Sequence, residues 1–163
     1  FPVAGFYHGA VRVRGDDQLS RHLSRVLHHE LVHAAIDFAS PSYRPPAWVN
    51  EGLAEWFENR ATGKRRLNSG EWAALADASQ RGVWISTLAL LQPSFAGLPA
   101  ESVGLAYLQS YASIDLLVRR QGERSLESFL QTLLRLRDSD RALRRSYRMD
   151  LAAIQEALRA ELR

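Results

Sequence analysis

Between Asp17 and about Ala39 the apolar residues Leu19, Leu23, Val26, Leu27, Leu31, Ala34, Ala35 and Phe38 recur at helical spacing, and no other stretch constrains the chain as strongly. Asp16 or Asp17 is the expected N-cap, and the run Ser40-Pro41-Ser42-Tyr43-Arg44-Pro45-Pro46 breaks the helix. Inside it, Val26-Leu27-His28-His29-Glu30-Leu31-Val32-His33-Ala34 concentrates three histidines and one glutamate. On a helix, residues four apart lie about 40° apart in projection and one turn apart along the axis. His29 and His33 therefore point the same way and would put two imidazole nitrogens on one cation. Glu30, beside the first, would reach a water bound to that cation, which is the mechanical content of H-E-x-x-H. His28 is turned about 100° away from His29 and leaves the set. His22, two turns earlier, is too distant to share an ion.

Zinc with catalytic access needs three protein ligands and one open position. Pro46 suits the first turn of a second helix, Ala-Trp-Val-Asn-Glu-Gly-Leu-Ala-Glu-Trp-Phe-Glu-Asn-Arg-Ala-Thr-Gly, which Gly63 would end. Two helices joined by a short turn pack as neighbours, so Glu51 would complete a two-His, one-Glu site. Glu55, one turn later, is expected to accept a hydrogen bond from the second nitrogen of a ligand histidine, fixing its tautomer and raising its basicity. Trp48, Leu53 and Trp56 mark this helix as largely buried.

Elsewhere, Gly9 to Gly15 alternates Val and Arg and reads as a short exposed or edge strand. Further helices are expected from Ser69 to Gln80, from Glu101 to Gly122, from Ser125 to Arg137 and from Asp150 to Leu162. The expected class is α+β and mostly α-helical, with one small edge sheet. With 163 residues, the chain suits one domain, its motif-bearing part about 5–122 and its C-terminal helices about 123–163. The absence of cysteine excludes disulfides, thiolate metal sites and cysteine nucleophiles. No apolar run reaches the length of a membrane span. The net charge of +3 rests almost wholly on arginine, Lys64 being the only lysine. The cluster from Arg135 to Arg148 is interleaved with Asp138 and Asp140, so it reads as a solvated helix face and no nucleic-acid partner is expected. With no initiator Met and no signal-peptide pattern, the chain reads as an excised domain or processed fragment, with room for further domains outside it. Its compartment is not legible.

His29-Glu30-x-x-His33 followed by Asn50-Glu51-Gly52-Leu53-Ala54-Glu55 resembles the gluzincin metallopeptidases of the MA clan, which read H-E-x-x-H and then, after about eighteen residues, N-E-G-x-A. Pro46-Ala47-Trp48-Val49-Asn50-Glu51-Gly52-Leu53-Ala54-Glu55 is similar to the P-x-W-x-x-E-G-L-A-E of compact bacterial peptidase-like domains of that clan. The interval here, residues 34 to 50, is 17 residues, one fewer than in the larger gluzincin aminopeptidases. No G-x-M-x-N segment is present, so an endopeptidase is expected rather than an aminopeptidase. The resemblance implies a zincin-like catalytic domain in which His29, His33 and Glu51 hold Zn2+ and Glu30 is the general base. It also implies a tyrosine whose hydroxyl stabilises the tetrahedral intermediate. Tyr107 occupies the similar position, with Tyr111, one turn later, second. Asn50 and Glu55 would surround the ligands. The implied function is zinc-dependent hydrolysis of a peptide or protein substrate. The alternative is a peptidase-like binding or regulatory module on the same scaffold. The strand around Ala10 to Arg14 would pair with an extended substrate, and Arg12 and Arg14 would favour acidic side chains.

Overall fold

Pro46, with no N–H to lose and φ at −53°, leads directly into helix α2 (Ala47–Ala61). The computed structural model describes residues 5–8, 10–13 and 20–162. Within α2, Trp48, Val49, Leu53, Ala54 and Trp56 are all buried, so this helix is a core element rather than an amphipathic cover. Its partner is α5 (Ala100–Gln121), buried on every side from Gln109 to Leu117. The two cross at Gly52, where an added Cβ would lie 2.6 Å from the Ser110 carbonyl oxygen and 2.9 Å from Ile114 Cγ1. Only a residue without a side chain permits that approach.

Helix α1 (Arg21–Ala39) begins behind Ser20, whose hydroxyl accepts from the Leu23 N–H. The expected caps, Asp16 and Asp17, lie outside the described residues. Helix α3 (Ser69–Gln80) opens on a capping box between Asn68 and Glu71, and α4 (Thr87–Leu90) is a single turn behind Ser86. Gly122, at φ 80°, separates α5 from α6 (Glu123–Leu136). Helix α7 (Ser139–Tyr147) and α8 (Leu151–Glu161) follow Asp138 and Asp150, each accepting from a first-turn N–H. Phe129, Leu133, Leu143, Ile154 and Leu158 from these C-terminal helices join Trp48, Leu53 and Leu117 in one continuous core. A buried amide lashes α5 in place. Gln109 accepts from the Ile85 N–H and donates to the Ile85 carbonyl and to Gln155 of α8.

The α+β class and its edge sheet are overturned, because the fold is helical. Extended pairing among the described residues is limited to a hairpin of β1 (Gly5–Tyr7) and β2 (Val11–Val13), with Phe6 opposite Arg12. Three-residue strands are too short to form a layer that could cover a helix. The strand expected from Gly9 to Gly15 is cut to Val11–Val13, and Gly9, Arg14 and Gly15 lie outside the described residues. The substrate-pairing edge expected there is withdrawn with the sheet. No helix is long and apolar enough to cross a membrane, among the described residues.

Candidate metal centre

Helices α1 and α2 run antiparallel, since Arg25 early in α1 meets Glu58 late in α2 while His33 meets Glu51. This pairing brings the expected ligands together. The Nε2 atoms of His29 and His33 lie 3.4 and 3.5 Å from the same oxygen, Glu51 Oε2. The two imidazoles stand edge to face, ring centres 4.9 Å apart. A charge-assisted hydrogen bond between such groups would be shorter, about 2.7–2.9 Å. By contrast, tetrahedral zinc with bonds of about 2.0–2.2 Å separates its ligand atoms by about 3.3–3.6 Å. Two nitrogens and one hard oxygen at these spacings fit that ion. A second triad, His29, Glu55 and Glu58, also has ligand atoms within 4.8 Å of one another.

Glu30 is the most deeply buried residue of α1, at 6% exposure, while its apolar neighbour Leu31 is 55% exposed. Burying a carboxylate is costly, so hydrophobic packing does not account for the placement of Glu30. Tyr107 of α5 faces the same place. Its hydroxyl donates to Glu51, its ring packs edge-on against Phe95 at 5.5 Å, and burial followed by the charges of Glu51, Glu55 and Glu30 raises its pKa. Tyr111 points elsewhere, its ring lying 4.7 Å beneath the Lys64 ammonium.

Three further residues do not behave as expected or fall away. The carboxylate on the second nitrogen of His29 is Glu58, not Glu55: Nδ1 lies 3.2 Å from Glu58 Oε2. Glu55 sits close by, its pKa raised by burial and by the Glu58 charge. The Asn50 side chain makes no hydrogen bond among the described residues, and neither does the buried His33 Nδ1. His28 bonds back to the Ser24 carbonyl at 2.7 Å and lines an apolar groove of about 650 Å³ on the opposite side of the α1–α2 pair.

No protein-family profile, curated protein or solved structure matches the chain.

The expected ligands are also bases, so a proton competes with a cation for them. Burial disfavours a charged His29, but the carboxylates of Glu51 and Glu58 beside it outweigh burial and hold its pKa at about 10. Burial likewise opposes a charged Glu51, yet the two imidazoles of His29 and His33 against it lower its pKa to about 2. Without a bound cation, the His29 contribution to stability is fully present below 6.5 and lost as pH rises through about 10. The Glu51 contribution is present above 4.5 and lost as pH falls through about 2. A ligand His29 must give up its proton, so zinc uptake at neutral pH should release one proton. Affinity should then rise about tenfold per pH unit, roughly 100-fold from pH 6 to pH 8. Titration calorimetry in buffers of different ionisation enthalpy reads both numbers, and a pH-independent affinity would remove His29 from the ligand set.

Proposed function

We propose that this chain is a zinc-dependent peptidase of the gluzincin kind, cleaving internal peptide bonds of a peptide or protein substrate by attack of water. The observation that carries the reading is the approach of both histidine Nε2 atoms to one Glu51 oxygen, from separate helices, at 3.4 and 3.5 Å. His29, His33 and Glu51 hold the ion. When bound, zinc lowers the pKa of water and polarises a carbonyl. Glu30, one residue from the first ligand, takes the proton of the attacking water and hands it to the departing amine nitrogen. Tyr107 remains protonated at neutral pH because burial and the surrounding carboxylates raise its pKa, so its hydroxyl is a donor and not a base. It turns from Glu51 to the oxygen that becomes negative as the scissile carbon becomes tetrahedral.

The test of the whole reading is metal content together with hydrolysis of an unbiased peptide library. Chains that stay zinc-free after incubation with zinc would end it. Zinc uptake without hydrolysis would turn the reading to a peptidase-like binding or regulatory module. The oxyanion role has its own test. Tyr107→Phe should lower kcat about 10²- to 10³-fold with KM little changed, since the lost donor acts in the transition state. The same loss in Tyr111→Phe and not in Tyr107→Phe would reverse the assignment.

A further inference from the structure

Glu58 is buried at 7% exposure, although it stands near the C-terminal end of α2, two turns beyond Glu51. Burying a carboxylate is costly unless its oxygens are hydrogen-bonded, and both oxygens of Glu58 are used. Oε1 accepts from Arg25 Nε at 2.7 Å and lies 2.6 Å from the second guanidinium nitrogen. Oε2 faces His29 Nδ1 at 3.2 Å. Arg25 and His29 are one turn apart on α1, so a single α2 carboxylate spans both. It cannot turn toward one without giving up the other.

We propose that Arg25 and Glu58 form a positioning dyad that sets the tautomer and ring angle of His29 for a cation at its other nitrogen. The inference rests on the zinc reading of the same site. An ionised Glu58 can only accept, so it keeps a proton on Nδ1, and the nitrogen that gives up its proton to a cation is Nε2, which faces the space shared with His33 and Glu51. Arg25 fixes which oxygen does this. His33 has no such acceptor among the described residues, its Nδ1 being buried without a partner. The pre-orientation of the pair is carried by His29.

The dyad makes predictions that simple electrostatics does not. Glu55 is a carboxyl of the same cluster, so Glu55→Gln is the matched control for Glu58→Gln. Zinc affinity, measured by competition with a chromophoric chelator, should fall about 10- to 100-fold in Glu58→Gln and at least about tenfold less in Glu55→Gln. Arg25 offers a test of sign. Removing a nearby positive charge would by itself strengthen cation binding, whereas releasing Glu58 weakens it, so Arg25→Met should bind zinc less tightly than wild type. The visible spectrum of the Co2+-loaded protein should shift in Glu58→Gln and Arg25→Met and stay as wild type in Glu55→Gln. Equal losses in the two glutamate variants, or tighter zinc binding by Arg25→Met, would overturn the dyad while leaving the zinc site standing. A wild type that takes up no zinc overturns both. Should Glu58→Gln fail to fold, by helical circular dichroism, Arg25→Met decides alone, its side chain being 50% exposed.

Discussion

Glu30→Gln is expected to lower kcat for peptide hydrolysis by about 10²- to 10⁴-fold, with zinc content and fold unchanged. The substitution is nearly isosteric, so the buried position at 6% exposure is refilled by a side chain of the same shape. Glu30 is not one of the three donors gathered by His29, His33 and Glu51. What the amide cannot do is take a proton from water and return it to a leaving amine. The measurement is kcat and KM on one peptide substrate, with zinc per chain determined on the same preparation. A variant that loses zinc together with activity would mean that Glu30 supports the ligands instead of the water. A variant as active as wild type would end the catalytic reading of this residue.

Gly52→Ala is expected to destabilise the fold by about 3 kcal/mol, the upper end of the usual cost of overpacking a core. The new Cβ would meet the Ser110 carbonyl oxygen at 2.6 Å and Ile114 Cγ1 at 2.9 Å. A backbone carbonyl inside α5 has no rotamer through which to retreat, so α2 must move off α5. Glu51 is the next residue, and zinc affinity should fall with stability. Gly104→Ala, in the same α5, is the control. Nothing lies within 4 Å of a Cβ there, so the gain in helix propensity should make it neutral or stabilising by up to about 1 kcal/mol. Urea denaturation of both variants reads the opposite signs. Equal stability in the two would mean that the helices are not in contact at Gly52.

The parts of this site written in local spacing were legible beforehand. The 3.6-residue period placed His29, Glu30 and His33 on one helix, and the proline turn after α1 implied that α2 would return beside it. Glu58 lies two turns after Glu51, beyond Glu55, the carboxylate that one-turn spacing assigns to the histidine. In an antiparallel pair, later residues of α2 meet earlier residues of α1, and seven residues carry Glu58 about 10 Å along the axis on nearly the same face as Glu51. Arg25, one turn before His29, was the signal that could have pointed to it. The two tyrosines differ by only about 40° in projection, too little for periodicity to separate Tyr107 from Tyr111. Arg137 and Arg148 end α6 and α7 in the left-handed conformation, at φ 54° and 57°. That conformation is usually taken by glycine or asparagine, so no break stood out and α7 merged into an arginine-rich run. The edge sheet failed for a different reason. Alternation of Val and Arg over a few residues describes a hairpin as well as a sheet.

Helix α1 gives the core only half-buried side chains such as Val32 and Ile36, while α2 is sunk in it. An ion gripped by His29 and His33 on one helix and by Glu51 on the other would close the intervening segment into a ring. It would act as a rivet through a wall that is only half buried. Anything that binds only the closed form shifts the opening equilibrium in proportion to its concentration over its dissociation constant. Without that rivet, α1 would open more often, carrying Glu30 out of register while the rest of the chain stays folded. Storage in chelator and storage in zinc would then yield preparations alike in helix content and unlike in competence.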